Sequence, residues 1–84
     1  MEKPNWLRQE NIKITLDARP ILAAGEHPLA RVLDETKDLL PGEIYEFITP
    51  FPPVPMIEKL KNAGFEYYSE SDASGIFRNY FMRP

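Results

Sequence analysis

The chain has 84 residues, of which 43% are hydrophobic, a formal net charge of −3 and no cysteine. This length and hydrophobic content are typical of one small folded domain and exclude a disordered chain. The lack of cysteine excludes disulfides, thiol nucleophiles, iron–sulfur clusters and cysteine-ligated zinc. The negative charge argues against nucleic-acid binding, because phosphate backbones repel an acidic surface.

The first ten residues, MEKPNWLRQE, are charged throughout and lack the apolar stretch of a signal peptide. No later apolar run reaches the ~20 residues that a membrane span needs. We therefore expect a cytoplasmic domain over residues 11–84, preceded by an N-terminal arm over residues 1–10. Trp6 and Leu7 either pin this arm to the domain or mark a contact site.

Apolar and polar residues alternate over residues 11–17, which predicts a half-buried strand. Residues 18–28 are predicted to form a loop, and Pro28 suits the first position of a helix. Four apolar residues and one threonine recur in that helix at three- and four-residue intervals until Pro41-Gly42 end it. They are Leu29, Val32, Leu33, Thr36 and Leu40.

Residues 43–49 predict a second strand, which is followed by four prolines within residues 50–55. We interpret these prolines as ending the strand and setting the entry to a second helix over residues 55–63, rather than as presenting Phe51 to a partner. Two more strands are predicted over 65–70 and 76–83. The Ser-, Asp- and Gly-rich turn between them indicates a hairpin.

The order β-α-β-α-β-β predicts an α/β (α+β) two-layer sandwich, in which two helices cover one face of a mixed four-stranded sheet. The helical crossover makes the first two strands parallel. Tyr45 and Phe47 are predicted core residues, so Ile44 and Ile48 face the opposite side of the sheet. For the last strand, the pattern does not decide which face is buried. This opposite face is apolar. It predicts either a partner or dimer interface through Ile44 and Ile48, or a surface that the N-terminal arm covers.

Five short strings, in the same order and spacing, resemble the TusA/SirA-like family over residues 12–83. They are LDARP (16–20), GEHP (25–28), LPGE (40–43), AGFE (63–66) and FMR (81–83). The resemblance implies a TusA-like fold. That family carries persulfide sulfur on the cysteine of a Cys-Pro-x-Pro motif, and here Gly25 stands in its place, so sulfur transfer is not implied.

The chain is most similar to a cysteine-less branch of that fold, a domain of unknown function that carries Gly-x-His-Pro before its first helix. Members of this branch are found alone, or fused or adjacent to hemerythrin-like, redox and nitrogen-oxide-related proteins. The resemblance therefore implies a hemerythrin-like or other redox protein as a partner.

His27 is the single histidine of the chain and stands beside the predicted helix start. An imidazole there can bind an anion, act as an acid or base, or ligate a metal. Alternatively, it is a structural loop histidine that packs on Pro28. A metal site is disfavoured, because only Asp17 and Glu26 are nearby as further ligands.

Arg19 follows the carboxyl end of the first strand, where open α/β sheets usually bind ligands. Together with the N–H groups of the helix start, and with Arg31 one turn later, it could hold a carboxylate, phosphate or sulfate. Alternatively, Arg19 forms a local ion pair with Asp17 or Glu26.

We therefore predict a non-enzymatic binding or regulatory module without cofactor or metal, present as a monomer or weak dimer. It would bind a small anionic ligand or a protein partner. Its candidate ligand-binding residues are Asp17, Arg19, Glu26, His27, Pro28 and Arg31. Two alternatives are an accessory docking protein of a sulfur-relay system that transfers no sulfur, and a small enzyme that uses His27 as general base.

Overall fold

The computed structural model describes residues 3–84, so Met1 and Glu2 of the predicted arm lie outside the described residues. Its strands and helices are β1 (Ile12–Asp17), α1 (Arg19–Ala23), α2 (Leu29–Thr36), β2 (Ile44–Thr49), α3 (Val54–Asn62), β3 (Glu66–Ser71) and β4 (Phe77–Met82). A single 3₁₀ turn, Gln9–Asn11, leads into β1. None of the helices within residues 3–84 combines the length and the apolar character needed to span a bilayer.

The four strands form one sheet in the order β1-β2-β4-β3. Strands β1 and β2 pair in parallel, as the helical crossover predicts, whereas β4 pairs antiparallel with both β2 and β3. The mixed sheet, the closing hairpin and the two-layer α/β architecture are thus confirmed.

The core lies between the helices and one face of the sheet. Strand β2 contributes Tyr45 and Phe47, and the helices contribute Val32, Met56 and Leu60, all of them buried. Each large side chain that leaves water in this way adds about 2 kcal/mol to the stability of the fold. The alternation in β2 therefore predicted its core face correctly.

The buried side of β4, which the sequence pattern left open, follows from its register with β2. Phe81 lies opposite Tyr45 and is fully buried in the same core, whereas Tyr80 lies opposite Glu46 on the other face. Because residues i, i+2 and i+4 of a strand lie on the same face, Phe77 faces the core side with Phe81.

The segment predicted as a loop over residues 18–28 contains the short helix α1. Pro20 lies in its first turn, where a missing N–H costs nothing, and the following residues favour helix. Five residues are too few to show a helical repeat of apolar positions, so the pattern missed this helix.

Helix α2 is shorter than predicted and ends at Thr36, not near Leu40. The backbone tightens after it, since the Leu39 N–H donates to the Thr36 carbonyl over 3.3 Å. This change of pitch buries Leu39 and leaves Leu40 65% exposed, so Leu39 takes the core position predicted for Leu40.

The central part of the sheet face opposite the helices is buried. Ile44 is fully buried and Ile48 is 8% exposed, although neither belongs to the core under the helices. Trp6 and Leu7 are half-buried, and Lys3 Nζ lies 3.5 Å from the Glu70 carboxylate on β3. Ile44 and Ile48 therefore expose little surface in this fold, and the N-terminal segment approaches this face through the Lys3–Glu70 pair.

Candidate functional site

A cavity of about 330 Å³ opens between the carboxyl end of β2, the loop before α2 and the start of α3. It is lined by Leu22, His27, Pro28, Leu29, Phe47, Thr49, Phe51, Pro53, Pro55 and Met56. His27 and Thr49 are the only polar residues among these. A mostly apolar concavity of this size is typical of a site for a small molecule or a single large side chain.

The proline-rich segment after β2 forms one wall of this cavity. The Thr49 hydroxyl donates a hydrogen bond of 2.6 Å to the Phe51 carbonyl, which turns the chain away from the sheet. The prolines cannot continue the strand, and α3 then begins with proline in its first turn. Their predicted structural role is therefore observed, and Phe51 is left 48% exposed at the cavity.

A buried amide supports the floor of the cavity from below. Asn79 is fully buried, and its Nδ2 donates to the Phe47 carbonyl over 2.8 Å and to Thr49 Oγ1 over 3.2 Å. Its Oδ1 accepts a hydrogen bond from Ser69 Oγ at 3.0 Å. Asn79 thus ties β4 to two residues that line the cavity. Sequence reasoning missed Asn79; the available signal was a lone polar residue between two phenylalanines on the core side of β4.

The position of His27 follows from the way α1 ends. The Gly25 N–H donates to the Leu22 carbonyl and the Glu26 N–H to the Ile21 carbonyl, over 3.0 and 3.1 Å. This double capping requires a left-handed residue, and Gly25 supplies it with φ of +80°. The chain therefore reverses at Gly25 and carries His27 to the mouth of the cavity, with Pro28 buried behind it.

Arg19 is held by Asp17, as the local ion-pair alternative predicted. Arg19 Nη2 lies 2.6 Å from Asp17 Oδ2, and Nε lies 2.9 Å from Oδ1. The hydrogen bond from the guanidinium lowers the pKa of the Asp17 carboxyl to about 2, against the opposing effect of partial burial. Neither residue lines the cavity, and the two charges compensate each other outside it.

Arg31 does not line the cavity either and pairs with Glu35. Its Nε lies 3.4 Å from Glu35 Oε2, and the other oxygen of Glu35 accepts a hydrogen bond of 2.5 Å from the Tyr45 hydroxyl. Burial, followed by this bond, raises the pKa of Tyr45. Glu26 is exposed and does not line the cavity.

Of the six residues predicted for a ligand site, His27 and Pro28 meet at the cavity, whereas Asp17, Arg19, Glu26 and Arg31 do not. Within residues 3–84, no group of three or more histidine or acidic residues is placed to hold a metal ion.

Comparison with known proteins gives a family and a short local similarity. The chain is 40% identical over 45 residues to the phenylalanine–tRNA ligase alpha subunit of Staphylococcus saprophyticus, a stretch covering 54% of this chain and 13% of that subunit. No solved structure matches the chain. Residues 15–83 match the family described as uncharacterized conserved protein, DUF2249. The chain therefore belongs to the DUF2249 family.

Proposed function

We propose that the chain is a non-enzymatic binding module whose cavity in front of α2 holds an uncharged, apolar group of its ligand. The observation that carries this proposal is the lining of the cavity, which is apolar apart from His27 and Thr49. An apolar group that enters it gains about 25 cal/mol for each Å² removed from water. A phosphate or carboxylate would lose its hydration without gaining a cation.

The charges around the cavity support this choice over the small anion expected from the sequence. Arg19 and Arg31 are the cations of this loop region, and each already pairs with a carboxylate, Asp17 or Glu35. Pro28, which precedes α2, has no N–H to offer. Among the polar side chains that line the cavity, His27 is therefore the one whose imidazole is available for a hydrogen bond to the ligand.

The hydroxyl at the cavity supports a binding role rather than catalysis. Thr49 donates its proton to the Phe51 carbonyl over 2.6 Å and accepts from Asn79. A nucleophile activated by His27 would have to donate to that imidazole instead. Among the lining residues, no other side chain carries a hydroxyl, thiol, amine or carboxylate.

Exposed apolar side chains beside the cavity favour a protein as the source of the apolar group. Phe51 and Val54 are 48% and 52% exposed, and both belong to the segment that forms the cavity wall. Large side chains that fill a pocket within an apolar rim carry most of the binding energy at protein interfaces.

The resemblance to the TusA/SirA-like family supports a redox or hemerythrin-like protein as that partner, since the cavity lies beside the Gly25–Pro28 motif. With Gly25 in place of cysteine, the chain would dock such a partner without carrying sulfur. The proposal does not extend to tRNA aminoacylation, because the similarity to the tRNA ligase covers 13% of that protein.

The proposal is tested by titrating the ¹⁵N-labelled protein with N-acetyl-tryptophanamide, a neutral mimic of a large apolar side chain, and separately with inorganic phosphate. Leu29→Trp fills the cavity from the start of α2. Leu33→Trp is the matched control, because Leu33 lies one turn later on the same helix, is also partly buried, and does not line the cavity.

We expect the neutral probe to shift the amides of His27, Leu29 and the non-proline residues of 47–56 in the wild type and in Leu33→Trp, but not in Leu29→Trp. Phosphate should shift none of them. Shifts caused by phosphate alone, or equal binding of the neutral probe to both variants, would contradict the proposal.

A further inference from the structure

The two edges of the sheet differ in how well they are protected. Strands β1 and β3 are the edge strands, and an edge leaves backbone N–H and C=O groups free to pair with another chain. Strand β1 carries an irregularity between Ile12 and Ile14 and an exposed lysine, Lys13, between them. Bulges and lysines are devices by which proteins block such pairing.

Strand β3 has neither device. Its six residues, EYYSES, pair with β4 in an unbroken register from Glu66 to Ser71, and none of them is lysine or proline. Among residues 3–84, no backbone hydrogen bond reaches its outer side. Tyr67 and Tyr68 favour extended backbone. This edge is therefore a regular and open template for one more strand.

The charge on this edge selects the kind of strand that fits. Glu66, Tyr68 and Glu70 alternate along β3 and so face the same side of the sheet. Lys3 Nζ already lies 3.5 Å from Glu70 Oε2, so an ammonium group finds a partner there. Glu66 is exposed, and none of the ion pairs within residues 3–84 includes it.

The symmetric register centred on Tyr68 is unfavourable for a second copy of this chain. Antiparallel pairing of two β3 strands centred on Tyr68 would place each Glu66 opposite Glu70 of the other copy. Like charges directly opposite each other destabilise a strand pair. Each chain also carries a net charge of −3, which adds long-range repulsion.

We propose that β3 is a docking edge for an extended basic segment of a protein partner, which adds to the sheet as a fifth strand. Main-chain hydrogen bonds to β3 would supply the affinity. Lysine or arginine of the segment would face Glu66, which takes part in none of the ion pairs within residues 3–84, and supply the specificity. This surface is separate from the cavity in front of α2, so its test does not depend on the proposed function.

The experiment uses the full-length ¹⁵N-labelled protein and a short acetylated, amidated peptide of alternating lysine and valine. The control peptides carry glutamate in place of lysine, or proline at the central valine, which removes a main-chain donor. The variant is Glu66→Lys. Glu58→Lys on the exposed side of α3 is the matched charge reversal away from this edge.

We expect the lysine peptide at saturation to slow amide hydrogen exchange at alternate residues of β3 by about tenfold or more in the wild type and in Glu58→Lys. Glu66→Lys should weaken the binding, and both control peptides should leave the exchange of β3 unchanged. Four outcomes would overturn the proposal: equal binding of the glutamate peptide, binding without slowed exchange in β3, no binding at millimolar peptide, or self-association of the free chain through β3.

Discussion

Asn79 has no exposed surface, yet it is a polar amide on the core side of β4. Its hydrogen bonds to the Phe47 carbonyl, Thr49 and Ser69 satisfy its donors and its acceptor. A buried amide is tolerated only when such partners exist, because an unsatisfied buried polar group costs about 1–3 kcal/mol. Asn79 therefore couples the stability of the sheet to the shape of the cavity.

We predict that Asn79→Leu, which keeps the volume of the side chain, lowers the free energy of unfolding by about 2 kcal/mol, because Thr49 and Ser69 lose their buried partner. Urea denaturation measures the change. Asn62→Leu at the exposed end of α3 is the control and should change stability by less than about 0.5 kcal/mol. Equal stability of Asn79→Leu and wild type would show that the network contributes nothing.

The Asp17–Arg19 pair makes a pH-dependent prediction. Because the folded-state pKa of Asp17 is lowered from 3.8 to about 2, the pair stabilises the fold above pH 3.8, and this contribution disappears as the pH falls towards 2. Both side chains are partly exposed, so solvent screens the pair and the effect on stability is small. The carboxyl titration is the sharper readout.

In Arg19→Ala we expect the pKa of Asp17 to rise towards 3.8, since the guanidinium supplies the main stabilisation of the carboxylate. Carboxyl-detected NMR titration from pH 1.5 to 6 follows this group directly. An unchanged pKa in the variant would mean that another cation, such as Arg78, or the backbone N–H of residue 19 controls Asp17.

Among single residues, the sequence singled out two that line the candidate cavity. His27 and Pro28 were identifiable because a lone histidine stood before a proline at a helix start. Arg19 was ambiguous, because an arginine two residues after an aspartate can bind either that aspartate or a ligand, and only geometry decides. Asn79 was missed because its partners lie 10 to 32 residues away along the chain.

Among the elements, the connection from α2 to β2 depends on one turn. Leu40-Pro41-Gly42-Glu43 has the features of a type II turn, with proline at the second position, glycine at φ of +87° at the third, and a 2.9 Å bond from the Glu43 N–H to the Leu40 carbonyl. The Gly42 N–H also donates to the Arg83 carbonyl over 2.7 Å, which attaches the turn to the end of β4.

Gly42→Ala should destabilise the fold by about 1–2 kcal/mol. The added Cβ would touch no neighbouring atom, but an alanine adopts the positive φ of this position only with backbone strain. Thermal unfolding measures the effect. Pro41→Ala keeps a permitted backbone conformation and serves as the control, with a smaller loss. A larger loss in Pro41→Ala than in Gly42→Ala would contradict this account of the turn.

The end of α2 shows why this element was only partly predictable. The three- and four-residue spacing continued to Leu40 in the sequence, but the helix ends at Thr36. Arg83 Nη2 donates to the Thr36 carbonyl over 3.0 Å, and its guanidinium lies 5.0 Å from the centre of the Phe65 ring. This C-terminal cap comes from Arg83, directly after the last strand, so no sequence pattern near α2 could predict it.

For the whole molecule, the sequence predicted the architecture well, because alternation and helical spacing report which face each element buries. The order of the strands and of the two longer helices, the parallel first pair and the closing hairpin were all predictable in this way, whereas the short helix α1 was not. The cavity was not, because it forms where β2, the loop before α2 and the proline segment meet. Its volume depends on the tertiary contacts that hold these three segments.

The N-terminal segment gives a prediction about the cooperativity of unfolding. Trp6 is the single tryptophan of the chain, and it is half-buried in the N-terminal segment. If this segment packs as part of the domain, unfolding in urea followed by Trp6 fluorescence and by far-ultraviolet circular dichroism should have the same midpoint. A fluorescence transition at clearly lower urea would mean that the segment detaches before the sheet unfolds.

The central claim is that the cavity in front of α2 binds an uncharged apolar group. The most direct test is to collect intermolecular nuclear Overhauser effects between N-acetyl-tryptophanamide and the ¹³C-labelled methyl groups of the wild-type protein. We predict contacts from the indole ring to Leu22, Leu29 and Met56, which line the cavity, and none to Leu40, which is exposed elsewhere. Contacts confined to other surfaces, or no contacts at saturating probe, would contradict the assignment of this cavity as the binding site.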